Sequence, residues 1–299
     1  MIRISHIARE LLANFLMGNT GFRWIRKLFP RTICNDISQQ TNKIVDQYDF
    51  FKNLIGESNI KGKIIIEIGP GDAVPLAFLF LADGAKKYIA VDRFIGNIGN
   101  NHARNVYLRL IKNKPELNNK DDLIDSMLKD DSSISIFPYS IESFSSAMMP
   151  IPKGDIIISN NVVEHLSDLN SAFQNMRSFL SEDGLMIHKV DYGPHGLDIN
   201  YENPLTFLTI QERLWKLMGS NRGYPNRQRN SQVLTALENA GFENNWEPTS
   251  YFSKEKILKI RPHLDKAFRE MDEEDLEICG SYIVSKIPKL SDVIPKSNA

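Results

Sequence analysis

Cysteine is nearly missing from this chain. Cys34 and Cys279 stand at opposite ends of the sequence, with no second cysteine near either. That excludes a disulfide framework and a thiolate metal site, and makes a reducing cytoplasm the expected compartment. Long apolar runs are missing too: none approaches the roughly 20 residues of a membrane span. Arg9 and Glu10 break the first apolar stretch, so no signal-peptide core forms there. Charge of one sign is not in excess, because 36 basic residues face 37 acidic ones for a net charge of −1. No basic arm stands out, so the footprint of a nucleic-acid partner is not visible. Two phosphate-binding patterns fail as well. After Gly69 and Gly71, Val74 stands where a dinucleotide fingerprint wants a third glycine, and no Gly-Lys-Ser or Gly-Lys-Thr follows.

What the chain does have is Lys63 to Asp72, KIIIEIGPGD. Ile64, Ile65, Ile66 and Ile68 around one acid suit a strand buried on both faces. Gly69 and Gly71 allow a tight turn with positive φ and a close backbone approach to a ligand. Pro75 suits the first turn of a helix that runs on through Leu76 to Leu81 and stops at Gly84. The unit is strand, glycine turn, helix: the opening of a doubly wound sheet. Glu67 and Asp72 flank the glycines and would repel a phosphate. They would welcome a cation, which fits S-adenosylmethionine with its ammonium and sulfonium.

At Glu67-Ile68-Gly69-Pro70-Gly71 the chain resembles the class I S-adenosylmethionine-dependent methyltransferases, and the order of elements extends the resemblance over roughly residues 61–288. The implied fold is an α/β, Rossmann-like, seven-stranded and mostly parallel sheet with helices on both faces. The implied cofactor site is Glu67, Gly69, Pro70, Gly71 and Asp72 at the first turn. Asp92 and Arg93 follow at the end of the second strand (88–92), where an acid holds the ribose hydroxyls; a helix N-cap is the plainer role for Asp92. Ser140, Ile141 and Glu142 follow the third strand (134–137) and bracket the adenine. Asn160 and Asn161 close the fourth strand (155–159). A DNA or N6-adenine methyltransferase would show Asp- or Asn-Pro-Pro-Tyr there, and Asn160-Asn161-Val162-Val163 stands instead.

Helical spacing places Asn161, Glu164 and His165 on one face of the helix that carries Leu166, Leu169, Phe173, Met176 and Leu180. That face is similar to the E-x-x-E-H segment of quinone-type O-methyltransferases, which holds a divalent cation. Asn161 replaces the first acid, so metal-independent transfer is expected. The fifth strand (185–190) leads into HKVDYGPH. Alternation sets His188, Val190 and Tyr192 on one side and Lys189 and Asp191 on the other, and the Gly193-Pro194 turn brings His195 back over the pocket. His188 is the expected general base, His195 the runner-up, Asp191 or Glu164 the orienting acid, and His165 with Glu164 and Tyr192 the acceptor contacts. H-x-x-D…H, P-L-x-F-L at 204–208, Trp215 and N-R-x-R at 226–229 together resemble bacterial methyltransferases of surface-glycan and carbohydrate pathways. Asn226, Arg227 and Arg229 would then bind an anionic or polyhydroxyl acceptor, unless they form a solvated turn. The expected activity is O-methylation of a sugar or glycan hydroxyl. A small aromatic or quinone-like acceptor, and a module that binds the cofactor without catalysis, are the alternatives.

Three regions surround this frame. Residues 1–60 are expected to form a helical cap, with one helix over 1–30 and a second from Thr41, its N-cap, to Ile55. In the first, Arg3, Arg9, Arg23, Arg26, Lys27 and Arg31 face a single acid, Glu10. That helix either packs on the core as a lid, the preferred reading, or touches an anionic membrane. Residues 95–130 form an insertion, with His102 in a polar loop, a helix near Val106 to Ile111 and another over 123–128. Residues 191–230 form a substrate-side segment. A helix from Ser231 to Ala240, two closing antiparallel strands (242–252 and 278–287), a helix at 257–271 between them, and a tail at 289–299 complete the chain. Oligomeric state is not legible.

Overall fold

The computed structural model describes residues 2–18, 36–96, 98–112, 124, 133–143, 151–195, 201–221 and 223–289. The expected helix segments at 19–30 and 123–128, the cationic residues from Arg23 to Arg31, Cys34 and the tail after 289 lie outside these residues, Ile124 apart.

Seven strands form one sheet: β1 (Ile64–Ile68), β2 (Lys87–Val91), β3 (Ile134–Phe137), β4 (Gly154–Asn160), β5 (Leu180–Asp191), β6 (Glu243–Tyr251) and β7 (Ile278–Lys286). Their order is β3-β2-β1-β4-β5-β7-β6. The first five pair in parallel, and β7 runs antiparallel to both β5 and β6. The isoleucine run of β1 is buried because β1 lies centrally, between β2 and β4, with a packed layer on each face. Period-2 alternation divides it. Ile65 faces one apolar cluster with Tyr88 and Ala90, while Ile66 and Ile68 face the other.

The chain begins with α1 (Ile4–Gly18), and the first face is covered by α2 (Ile37–Ile55), α3 (Pro75–Ala82) and α4 (Asn101–Lys112). Pro75 opens α3 at its first turn, and Gly84 follows it at φ 89°. The N-cap of α2 is Asp36, whose carboxylate accepts from the amides of Ser38 and Gln39, and not Thr41, whose hydroxyl donates back to the Ile37 carbonyl. Tyr48, Phe51 and Ile55 bring α2 into the main core. The expected cap of residues 1–60 therefore divides: α2 is a layer of the sheet, and only α1 stands apart. Within the expected insertion, α4 is a regular crossover helix, and His102 contacts Gln40 of α2 at 2.9 Å.

The second face carries α5 (Leu169–Phe179), and α7 (Asn230–Asn239) once α6 (Glu212–Gly219) has intervened. The helix after β4 does not start at Asn161. A 3-10 turn spans Val163–His165, Leu166 is extended, and Asp168 caps α5 by accepting from the Ser171 amide. The last sheet helix begins at Asn230; Ser231 instead meets the carboxylate of Asp275 through its amide and hydroxyl. Between β6 and β7 the expected single helix is broken near Pro262 into α8 (Lys254–Ile260), a 3-10 turn, α9 (Lys266–Arg269) and α10 (Glu273–Glu277).

These pieces and residues 204–219 form a satellite core around Leu205, Phe207, Trp215, Met218, Ile257 and Phe268. Because Asp191 of β5 lies opposite Gly280 of β7, this core joins the sheet at the carboxyl edge of the parallel strands. α1 packs on it through Ile7 and Leu11, and Ile2 just before the helix joins them.

Candidate active site

The sheet order reverses direction between β1 and β4, which is where ligands bind in open α/β sheets. Two loops meet there. Gly69 and Gly71 take φ 72° and 80°, so the EIGPG turn needs glycine at both. A Cβ on Gly69 would stand 2.5 Å from a Val162 methyl, so the loops after β1 and β4 touch. At Gly71 the corresponding space is open within 4 Å. The turn is fixed from below: the Gly69 amide donates to the Val91 carbonyl at 2.8 Å, and the Gly71 amide to the Asp92 carboxylate at 2.8 Å.

Asp92 holds the Phe94 amide with its other oxygen at 2.6 Å, so it ties the β2 tip to the glycine turn while remaining half-buried there. Arg93 is exposed and lies over the Phe94 ring. Asp72 packs against Gly96, and Pro70 is half-buried. Glu67 is not displayed at the surface of the turn. It is buried, it accepts from the Tyr88 hydroxyl at 2.6 Å, and burial pushes its carboxyl up to about 7 against the pull of that hydrogen bond. Strand alternation, which sets Tyr88 and Glu67 on one face, is the signal that would have found this partner.

After β3, Ile141 is buried on the second face beside Ile66, Ile68 and Met176. Glu142 does not wait for a ligand. One oxygen accepts from the Ser167 amide and hydroxyl and the Asp168 amide, and the other from the Ser140 hydroxyl. Burial opposes ionisation, but these donors win and hold its carboxyl below the usual range. The expected adenine contact by Glu142 is therefore corrected: it splices the β3 loop to the start of α5.

Asn160 presents a buried side-chain oxygen with no hydrogen-bond partner, and Asn161 turns at φ 54° with its amide on the Lys189 carbonyl. Asn161, Glu164 and His165 thus do not share a helix face. Glu164 is 2% exposed, and neither carboxyl oxygen has a hydrogen bond. Its burial, with Asp191 nearby, pushes the carboxyl well above the usual range. His165 is exposed, and its ring meets the His195 ring edge-on at 4.8 Å.

His195 takes φ 48° after the Gly193-Pro194 turn, which the Asp191 carboxylate braces by accepting from the Gly193 amide at 2.7 Å. Its Nε2 lies 3.7 Å from Glu164 and 3.8 Å from Asp191. Glu164, His165 and His195 each place one ligand-type atom within 4.8 Å of the others.

Five other expected site residues are corrected. His188 is fully buried on β5, with Nδ1 on the Ser159 hydroxyl at 2.8 Å and Phe173 beside the ring. Burial lowers its pKa to about 4, so it is a neutral core residue and no acceptor can reach it. Tyr192 is buried with its hydroxyl on Asn230 and Ser281.

Arg229 is fully buried and donates to the carbonyls of Tyr192 and Ile278 at 2.9 and 2.6 Å. Arg227, at φ 65°, donates to the carbonyls of Phe207 and Ile210 and to Glu212, between the rings of Trp215 and Phe268. Asn226 is also committed: its side chain donates to the carbonyls of Val163 and Leu166, and its amide to that of Glu164. The segment read as an acceptor site is a clamp on the turn that carries Glu164 and His165.

The fold and the switch-point turn define a Rossmann-like α/β protein whose ligand site lies at the carboxyl edge of the sheet. The chain belongs to the family described as methyltransferase domain, which it matches over residues 39–246. Among curated proteins none matches. Solved structures similar to it include a possible exported protein from Bordetella parapertussis (12% identity, 82% of this chain and 68% of that one, TM-score 0.41). Another is an S-adenosylmethionine-dependent methyltransferase from Mesorhizobium loti (14%, 76% and 91%, TM-score 0.40). A third is phosphoethanolamine N-methyltransferase 2 from Haemonchus contortus in complex with S-adenosyl-L-methionine (14%, 77% and 49%, TM-score 0.39).

S-adenosylmethionine is the cofactor of this domain, and the residues present fit it. The open side of Gly71, the unpartnered Asn160 oxygen and the Asp92 carboxylate offer a backbone cradle and acceptors for a cationic, diol-bearing ligand. No described helix is long and apolar enough to cross a membrane.

Proposed function

We propose that this protein methylates a hydroxyl oxygen, with a sugar or glycan hydroxyl as first choice, and that His195 is the general base. One observation carries the reading: His195 is held at the carboxyl edge between two carboxylates, at 3.7 and 3.8 Å, with its side chain 21% exposed. When bound, S-adenosylmethionine supplies an electrophilic methyl group and a neutral leaving group. The chain's own task is to position the acceptor and remove its proton.

His195 takes that proton, and Asp191 faces the imidazolium that results, with the buried Glu164 carboxyl on its other side. Asp92 would accept from the ribose hydroxyls, and the Gly69–Gly71 turn and Asn160 would hold the methionine end. The polar lining by Glu164, His165, Asp191 and His195 favours a polyhydroxyl acceptor over an apolar one. A cytoplasmic location belongs to the same reading.

Incubation with S-adenosylmethionine and a panel of sugars and glycans, read by S-adenosylhomocysteine release, tests it. His195→Ala should lower turnover by ~10²–10⁴ with cofactor affinity kept. Full turnover in that variant would remove His195 from the role. Cofactor binding without product for any acceptor would favour a non-catalytic module. The Glu164, His165, His195 triad supports a second reading, assistance by a divalent cation. Activity lost to a chelator and restored by the ion would select it over the metal-independent route.

A further inference from the structure

The packing of α1 is largely inverted, although Ile7 and Leu11 turn to the satellite core. His6, Glu10 and Asn14 recur every fourth residue, so they form one stripe, and that polar stripe is the buried one. His6 meets the Tyr201 hydroxyl at 2.9 Å, and Glu10 accepts from the Tyr224 hydroxyl. Asn14 donates to the Leu217 carbonyl and Ser220 and accepts from the Asn221 amide. Ile4, Leu12 and Phe15 point away from the stripe and are 84%, 60% and 72% exposed; Leu16 and, on α6, Leu217 are exposed beside them.

A surface helix of a water-soluble domain normally does the reverse, and a contiguous apolar face of this kind marks an interaction site. Its charge has one sign. The only acid of the helix, Glu10, is in the buried stripe, where Arg9 pairs with it at 2.9 Å, and Arg3, just before the helix, is exposed. The sequence from Asn19 to Arg31 adds Arg23, Arg26, Lys27 and Arg31 with no acid.

We propose that this face of α1 docks on an anionic lipid surface, with Ile4, Leu12 and Phe15 inserted among the acyl chains and the arginines at the headgroups. The charge decides against a second copy of the chain. A two-fold interface would add the excess positive charge of two such segments, whereas anionic headgroups neutralise it. The inference is independent of the acceptor and of the base.

The test is sedimentation of the full chain with phosphatidylcholine vesicles, with and without phosphatidylglycerol. Binding is expected with phosphatidylglycerol and should weaken as salt rises. Leu12→Glu with Phe15→Glu should lower the partition coefficient at least about tenfold. Its thermal unfolding and S-adenosylmethionine affinity should stay at wild-type values, since both side chains are exposed and distant from the glycine turn. Arg3→Glu should reduce the preference for phosphatidylglycerol. No binding by the wild type, or equal binding by the double variant, overturns the proposal. So does a concentration-dependent dimer in sedimentation velocity that the double variant abolishes, with no vesicle binding.

Discussion

Replacing Glu67 by Gln should stabilise the protein above neutral pH and leave it nearly unchanged in mild acid. Glu67 lies in the central strand, buried, with the Tyr88 hydroxyl on one oxygen at 2.6 Å. Burial raises its carboxyl from 4.5 to about 7, the Tyr88 hydrogen bond opposing and Asp92 adding to the rise. Each pKa unit is worth about 1.4 kcal/mol, so the difference is worth up to about 3 kcal/mol.

The folded state holds this proton more tightly than the unfolded state does. Its contribution is therefore complete below the unfolded value and is lost as pH rises through the folded one, about 7. Glutamine carries no ionisable proton and can still accept from Tyr88. Urea unfolding of both proteins at about pH 5 and about pH 8 would measure the effect through the midpoint at constant m. A gain for Glu67→Gln of 2–3 kcal/mol, as an order-of-magnitude estimate, is expected only at the higher pH. Equal differences at both values would show that Glu67 titrates normally, and would refute burial as the cause.

Three further outcomes follow from the site. Asp92→Ala should weaken S-adenosylmethionine binding in calorimetry by ~10-fold or more, through the lost charged contacts; preferential binding of NAD by the wild type would reject the cofactor site. His188 has a folded pKa near 4 against 6.5, so the stability it contributes is present above the unfolded value and lost as pH falls through the folded one. His188→Gln should flatten the loss of stability on acidification by up to about 3 kcal/mol, and an unchanged acid limb in urea unfolding would count against a neutral buried ring. Arg229→Met strands the carbonyls of Tyr192 and Ile278 and should cost roughly 1–3 kcal/mol per carbonyl in urea unfolding. Wild-type stability with a raised KM would instead restore Arg229 to the acceptor site.

Local pattern carried the sheet. The isoleucine run, the paired glycines, Pro75 and Gly84 each constrain their own few residues, and all agree with one strand, turn and helix. The later misreadings share a physical cause, which is partners distant in sequence. Arg227 and Arg229 looked like ligand-binding cations because Trp215 and Phe268, or Tyr192 and Phe252, are not their neighbours along the chain. A buried guanidinium needs aromatic faces and carbonyls, and both are supplied by tertiary contacts.

His188 is a different kind of miss. Alternation already grouped it with Val190 and Tyr192, and that side is the core side. Asp168 and Ser171, three residues apart, carried a local start signal for α5. The apolar spacing from Leu166 onward obscured it by extending the helix towards Asn161.

The clamp at 226–229 explains how a three-residue turn can hold Glu164 and His165 in place. Val163–His165 has too few internal hydrogen bonds to fix its own geometry. Asn226 supplies the missing constraint by binding the carbonyls of Val163, Glu164 and Leu166, on both sides of the buried carboxyl. Arg227 then anchors the same segment in the satellite core, and Arg229 anchors it where β5 ends and β7 begins. Glu164 is therefore positioned by the satellite core as well as by the sheet. His195, on the turn just beyond β5, meets Glu164 from the other side. Two supports that converge on one buried acid give it the fixed position that the proposed proton transfer requires. Residues that resemble acceptor contacts in the sequence thus hold the turn of the proposed site in register.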